Sequence, residues 1–434
     1  MRSTALLTDH YELTMLQAAL HSGAAHRHAI FEVFARRLPP GRRYGVVCGV
    51  SRVAEAVERF HFGPDELDFL ASSAIVDHTT LRYLEEFRFS GSIDAYPDGE
   101  LYFPNSPIAR IEGTFAETLL LETIVLSILN FDSAVASAAA RMVQVAKGRT
   151  LIEMGSRRTH EQAAIAAARA AYVVGFAATS NLEAGRMYSI PTTGTAGHAL
   201  MLAHESEIAA FEAQVAAQGA DTTALVDTFE IGRGIERAVS VFGPRLRAIR
   251  IDSGNLAEGA AFARARLDAL GAEKTGIILS GDLDEYAIDE LSDAPVDGFG
   301  VGTRLVGGSG HPTANFVFKL VAIGESPSQL QSVAKTSENK ATIGGRKAAV
   351  RIKSDDGTAT TEYTYDPETI EPTIGGQYRL LQRPIMQQGR VLYRDTLSDI
   401  RLHHQATMEE LSPHDRINLA GRPALQAQPW SESR

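Results

Sequence analysis

One cysteine and one tryptophan stand in a chain of 434 residues. The lone thiol, Cys48, excludes an intramolecular disulfide and any structural zinc site built on paired thiolates. Long uncharged apolar runs are missing too. The two most apolar windows, FAETLLLETIVLSILNF and AAIAAARAAYVVGFAA, are interrupted by Glu117 and Glu122 and by Arg169. Neither reaches the ~18 uncharged residues of a membrane span. The first residues, MRSTALLTDHYELTM, lack an apolar signal core followed by a small-residue cleavage site. These absences lead to the expectation of a cytoplasmic chain with no membrane partner. Basic excess is absent as well: 42 Lys and Arg against 53 Asp and Glu leave a net charge of −11. That balance argues against a nucleic-acid partner, though it leaves room for a local basic site. No internal repeat or low-complexity segment is found. A P-loop and a G-x-S-x-G elbow are lacking, which removes the commonest ways to bind ATP and to form an acyl-enzyme; an H-E-x-x-H helix is lacking too.

What is present is an ordinary folding composition, 44% hydrophobic and 22% charged, which argues against a disordered chain. From about residue 150 to 323 strand-like and helix-like runs alternate. The strand candidates are TLIEMG, GFAATSN, IPTTGTAGH, TALVDTF, LRAIRIDSG, TGIILSGDLD and GFGVGT. Helices are expected over HEQAAIAAARAAYVVG and LEAGRMYS, as one long element over HALMLAHESEIAAFEAQVAAQG, and from near Ile231, Asn255 and Asp284. Strands alternating with helices imply parallel pairing through crossovers. Each strand run starts apolar and ends in a polar cluster (GSRRTH, TSN, TTGTAGH, DTF, IDSG, SGDLD, GVGT). Polar clusters at every C-terminal strand end suggest one shared rim, as in an irregular, TIM-like α/β barrel. A doubly wound sheet would use mainly its switch-point loops.

The flanks read differently. Residues 29–50 and 91–111 carry strands between Pro/Gly turns, with helical patterning over 51–87. The tail adds KAAVRIKSDDGTATTEYTYD, with an Asp-Gly turn, and a second hairpin over RLLQRPIMQQGRVLYR. Residues 1–114 and 346–434 are therefore expected to form one discontinuous α+β domain from both chain ends. The barrel is expected over 115–345, entered by a long helix over 115–147.

Four motifs carry candidate chemistry. In GVGTRLVGGSGHPTAN, Gly300, Gly302, Gly307, Gly308 and Gly310 free backbone N–H groups for an anion, with Thr303 and Ser309 adding hydroxyls; a plain glycine-rich connection is the alternative. Asp252 in IDSGNL, and Asp282 and Asp284 one strand later, can take ribose hydroxyls or Mg²⁺, or can simply cap helices. Arg157 and Arg158, joined by Arg250, present forked guanidiniums suited to phosphate or carboxylate, unless each sits in a surface ion pair. His198 lies where a strand passes into a helix, a place for an acid/base or a nucleophile, and equally for a structural donor. His21, His26 and His28 lack metal-site spacing and read as surface residues.

Taken together these motifs resemble the nicotinate phosphoribosyltransferases. The resemblance runs from Leu7 to about Arg351 and rests on TDHYELTM (8–15), FEVFARRLP (31–39), GSRRTH (155–160), GTAGH (194–198), LVDTF (225–229), IRIDSGNL (249–256), GVGT (300–303) and KTSENKATIGGRKAAVR (335–351). It implies a type II phosphoribosyltransferase fold: an irregular barrel with a second domain from both ends. It implies the conversion of nicotinate and phosphoribosyl pyrophosphate to nicotinate mononucleotide and pyrophosphate, coupled to hydrolysis of ATP with Mg²⁺. By the same resemblance His198 is a phosphohistidine, and Thr195 and Arg250 meet nicotinate. Tyr11 meets nicotinate across a homodimer interface. Gly302 and Thr303 serve the sugar phosphate, and Arg157, Arg158 and Asp252 serve phosphates, ribose hydroxyls or Mg²⁺. Gly197 stands where the family commonly has alanine. Some relatives carry zinc cysteines near the C-terminus; this chain has none, so no resident metal is expected there.

Other readings remain at this level. A nicotinamide or quinolinate phosphoribosyltransferase would share the fold. Nicotinamide, however, has no charge for Arg250, and quinolinate calls for more cations than can be placed. A sugar-phosphate aldolase or isomerase barrel would need a lysine at a strand end, whereas Lys274 precedes a strand. A non-catalytic ligand-binding barrel fits the polar rims least.

Overall fold

The computed structural model describes residues 2–334, 343–368, 377–417 and 419–429. Contacts divide the chain into two units, Met1–Ser137 with Thr313–Arg434, and Ala138–Pro312. The sequence-based boundaries at 114/115 and 345/346 differ from these. The first division falls inside the helix Glu122–Ala146. After the second, the strand Phe316–Gly324 pairs antiparallel along His28–Ala35, which ties it to the first unit.

The unit Ala138–Pro312 is built on a curled parallel sheet. Its strands are β1 Thr150–Glu153, β2 Ala178–Thr179, β3 Thr223–Leu225, β4 Ala248–Ile251, β5 Gly276–Gly281 and β6 Gly298–Val301. Their spatial order is β2-β1-β6-β5-β4-β3. Sequence order therefore runs around an arc that stays open between β2 and β3. The expected strand in IPTTGTAGH is reduced to one parallel bridge, Thr179 to Thr192. Pro191 and Gly194 on either side of that bridge disfavour a longer ladder. The result is an irregular half-barrel rather than a closed ring. Leu151, Ile249, Ile251, Ile277, Leu279, Phe299 and Val301 are buried along the strands, as parallel strands covered on both faces require.

The helices start where local chemistry caps them. Glu230, Asn255 and Asp284 each accept backbone N–H bonds at the first turns of Ile231–Phe242, Leu256–Ala269 and Glu285–Glu290. Ile235, Ala238 and Phe242 form the buried stripe of the first of these. The single helix expected over 198–219 is two, His198–Leu202 and Glu207–Gln218. Ser206 breaks it, because its hydroxyl accepts the Ala209 N–H at 3.2 Å and starts a new N-terminus.

In the other unit a seven-stranded sheet has His28–Ala35 near its middle, flanked by Phe316–Gly324 and Ala109–Thr114. The helical patterning over 51–87 resolves into Val50–Glu58, Pro64–Ser72 and His78–Glu86. The Asp-Gly turn joins Ala348–Lys353 to Ala359–Tyr365, with Gly357 at φ 86°. The second hairpin is shorter than expected. Arg383–Gln387 turns back on Arg390–Val391, while Gln377–Leu380 joins the sheet of the first hairpin instead. The apolar window near residue 120 becomes Phe115–Leu119 and Glu122–Ala146. By length and composition this stretch could cross a membrane, but most of its apolar window is buried.

A buried charge cluster joins the chain ends. Arg351, 0% exposed, reaches Glu100 at 2.7 Å, Glu362 at 2.9 Å and Glu410 at 3.1 Å. Arg379 pairs with Glu100 and Glu410, and His403 Nε2 lies 3.1 Å from Glu100. Removing one member of such a network leaves the others charged and buried. Arg351→Ala is expected to lower the unfolding free energy by about 3–5 kcal/mol in urea titrations. Next to the cluster His404 donates from Nδ1 to the Gly99 carbonyl at 2.9 Å, and burial holds its pKa down at about 4 against an ordinary 6.5. Between those values the unfolded chain binds more protons, so this residue's contribution is complete above pH 6.5 and is lost as the pH falls toward 4. His404→Gln is expected to flatten the acid limb of a stability profile over that window.

Candidate active site

The C-terminal ends of the strands surround a cavity of about 660 Å³. That volume falls inside the roughly 300–1,000 Å³ typical of small-ligand sites. Arg157, Arg158, Thr195, His198, Arg250, Asp252, Gly302 and Thr303 all line it. These eight residues, far apart in sequence between Arg157 and Thr303, are thus brought together by parallel strands that end on one rim.

The cationic part comes from two places. Arg157 and Arg158 follow β1 in a turn whose Arg158 N–H donates to the Gly155 carbonyl at 2.8 Å. Both are exposed, and among the described residues neither has an ion-pair partner. The surface-pair alternative does not hold for them. Gly155 lets this turn press on the helix Thr303–Val306, since a Cβ there would lie 2.3 Å from Val306 Cγ1. Arg250, on β4, is only 13% exposed. Its Nη1 donates to Thr195 Oγ1 at 2.9 Å, and its Nη2 lies 3.8 Å from Asp252 Oδ1. Thr195 thus holds the guanidinium by a hydrogen bond, with the Asp252 carboxylate beside it.

The acidic part is Asp252 with Asp282. Asp252 does not cap a helix: Asn255 does that, and Asp252 Oδ1 accepts the Ser280 hydroxyl instead. Asp284 is a helix cap, by contrast, accepting from the Tyr286 and Ala287 N–H groups. The Gly-rich loop is also sorted. Gly300, Gly302 and Thr303 line the cavity, whereas Gly307, Gly308, Ser309 and Gly310 do not. Ser309, at φ 51°, gives its hydroxyl to Glu285, which pairs with Arg141 at 3.0 Å. The Ser309 hydroxyl is thus committed to the fold.

Two neighbouring residues of LVDTF, Asp227 and Thr228, carry no site signal of their own in the sequence. Asp227 accepts the Asp252 N–H and the Ser253 hydroxyl, each at 2.8 Å on Oδ2, so it fixes the loop that carries Asp252. Thr228 Oγ1 lies 3.1 Å from His198 Nδ1. His198 itself is the first residue of His198–Leu202, behind the extended Gly197. A third residue, Glu153, is buried at the end of β1, where burial pushes its carboxyl upward and hydrogen bonds from Thr179 and Gly155 oppose that shift. The signal for it was an acidic residue in an otherwise apolar strand.

Tyr11 lies in the other unit, on the helix His10–Ser22, 44% exposed, and does not line this cavity. Burial and the carboxylates of Glu122 and Glu12 raise its hydroxyl pKa. Of the amino-terminal histidines, His21 meets Asp77 at 2.5 Å on the surface, while His28 is largely covered and meets Glu112 at 2.8 Å. Residues 335–342 of the lysine-rich motif lie outside the described residues. Among the described residues no group of three or more His, Cys, Asp or Glu is arranged to hold a metal ion.

The sequence matches two family patterns, described as the nicotinate phosphoribosyltransferase (NAPRTase) N-terminal domain over residues 6–130 and the NAPRTase family over 150–359. A nicotinate phosphoribosyltransferase of Mycobacterium tuberculosis is 52% identical over 429 residues, covering 97% of this chain and 94% of its own. One from Bacillus subtilis is 39% identical over 361 residues, covering 81% of this chain and 73% of its own. Among solved structures, human nicotinic acid phosphoribosyltransferase superposes with a TM-score of 0.84 at 24% identity, over 97% of this chain and 98% of that one, which speaks to the fold.

An anion bearing two phosphates should find the arginine turn first. Replacing both Arg157 and Arg158 by alanine is expected to weaken inorganic pyrophosphate binding at least about tenfold in calorimetry at fixed salt.

Proposed function

The chain belongs to the nicotinate phosphoribosyltransferase family, and from that premise we propose how its cavity makes nicotinate mononucleotide. The reaction joins the nicotinate ring nitrogen to C1 of the ribose of phosphoribosyl pyrophosphate as pyrophosphate leaves, a step of NAD salvage. The observation that carries the assignment of roles is a pair of arginines, without an ion-pair partner among the described residues, lining the same cavity as Arg250, His198 and Thr303.

Bond breaking at C1 places positive charge on the sugar and negative charge on the departing pyrophosphate. Fixed donors at the leaving group stabilise that charge without having to reorganise. Arg157 and Arg158 suit the pyrophosphate. The backbone at Gly302 and the hydroxyl of Thr303 suit the sugar 5′-phosphate. Arg250 suits the nicotinate carboxylate, because Thr195 and Asp252 already hold its fork and leave little ordering for the ligand to do. Asp252 and Asp282 are two carboxylates on one wall, which is what Mg²⁺ uses when substrate phosphates complete its shell. A bound Mg²⁺ would neutralise pyrophosphate charge as it develops. Asp227 would keep Asp252 in place for that task.

His198 is proposed to take the γ-phosphoryl group of ATP. A ring nitrogen forms the P–N bond as the bond to the ADP oxygen breaks, and ADP leaves with that electron pair. Sharing the arginine turn between ATP and phosphoribosyl pyrophosphate would account for the missing P-loop. Tyr11 is proposed to serve the site of a second copy in a homodimer, stacking on the pyridine ring, which its exposure supports.

The test is pyrophosphate release with nicotinate, nicotinamide and quinolinate, each with and without ATP. Turnover is expected with nicotinate, stimulated by ATP, and its absence would overturn the reading. His198→Ala is expected to lose both the stimulation and incorporation of ³²P from γ-labelled ATP. Arg250→Ala is expected to lower kcat/KM for nicotinate by about 10- to 100-fold, the worth of a charged hydrogen bond. Its effect on nicotinamide should be much smaller.

A further inference from the structure

Beneath the arginine turn lies a buried carboxylate that none of these steps uses. Glu153 ends β1 and is 1% exposed. Among the described residues it has no cationic partner, which makes it a costly group to keep there. A leucine would occupy the end of a buried strand at lower cost. Both of its oxygens are instead committed to neutral donors. Oε1 accepts the Gly155 N–H, at the start of the turn. Oε2 accepts the Thr179 hydroxyl, at the end of the neighbouring β2.

The hydrogen bonds continue from there around the turn. The Thr179 hydroxyl oxygen accepts the Asn181 N–H at 2.9 Å, and the Asn181 amide donates to the Ser156 hydroxyl at 3.0 Å. The Ser180 N–H donates to the Glu153 carbonyl at 2.8 Å. The segment Gly155–Arg158 is thereby tied at Gly155 and at Ser156 and closed on itself by the Arg158 N–H. Gly155 also packs closely on Val306, where a Cβ would lie 2.3 Å from its Cγ1. Among the described residues the two guanidiniums have no ion-pair partner.

We infer that Glu153 is the positioning residue of the arginine turn. By holding Gly155 and Thr179 together it fixes where Arg157 and Arg158 meet the pyrophosphate of phosphoribosyl pyrophosphate, and it sets affinity for that substrate without touching it. This rests on the proposal that the two arginines bind that pyrophosphate.

The experiment measures KM for each substrate in Glu153→Leu, Glu153→Gln and Thr179→Val, alongside Arg157→Ala and Arg158→Ala. Glu153→Leu and Thr179→Val are expected to raise KM for phosphoribosyl pyrophosphate about tenfold, the loss of about one charged hydrogen bond to the substrate, while KM for nicotinate stays within about twofold. Glu153→Gln keeps an oxygen for the Gly155 N–H and should recover most of the loss, which a residue needed only for its charge would not allow. If Glu153→Leu does not fold, the near-isosteric Thr179→Val decides the matter alone. Wild-type KM values in a folded Glu153→Leu or Thr179→Val, or an equal rise for both substrates, would overturn the inference. If the arginine variants also leave KM for phosphoribosyl pyrophosphate unchanged, the binding assignment itself fails. If they raise it and the Glu153 and Thr179 variants do not, only the role of Glu153 fails.

Discussion

Parallel pairing is the constraint on which the site depends. A parallel strand cannot return through a tight turn, so each crossover carries a helix and every strand ends at the same edge. Six strands of two to six residues are enough to bring Arg157, His198, Arg250, Asp252 and Thr303 around one cavity. The sheet remains open between β2 and β3, and the segment carrying Thr195 and His198 leaves the arc there. Freed from a ladder, that segment can offer Thr195 to Arg250 and His198 to Thr228.

The rim is organised by contacts in which one residue lines the cavity and a neighbour holds it. Asp227 holds the loop of Asp252, Thr195 and Asp252 hold Arg250, and Glu153 holds the turn of Arg157 and Arg158. Each such hydrogen bond to a charged group contributes about 1.5–3 kcal/mol. Their value here is that the donors facing the ligand are already in place, so little ordering is left to binding or to the chemical step.

The alternation of strands and helices was legible because short apolar runs ended repeatedly in polar clusters. The eight cavity residues were legible because those clusters sit at strand ends and form an ordered set of motifs. Three things were not. Ser206 splits a helix whose alanine-rich composition reads as continuous, because a hydroxyl competing for a backbone N–H leaves no mark on periodicity. Ser309 and its glycine neighbours look like a phosphate loop by composition, yet the hydroxyl is taken by Glu285, a contact set by tertiary packing. Asp227, Thr228 and Glu153 were visible as residues, but their supporting roles depend on distances that no spacing rule supplies. Arg351 shows the same limit: its three carboxylate partners are far apart in sequence and meet only when both chain ends fold together.

We propose that one cavity holds nicotinate at Arg250 and the phosphates at the arginine turn and at Thr303. A crystal structure of the protein with nicotinate mononucleotide and pyrophosphate tests it most directly. The pyridine carboxylate is expected within hydrogen-bond distance of Arg250, the nucleotide phosphate at Gly302 and Thr303, and pyrophosphate against Arg157 and Arg158. A nucleotide bound in the opposite sense, with its phosphate on Arg250 and its ring at Thr303, would contradict it.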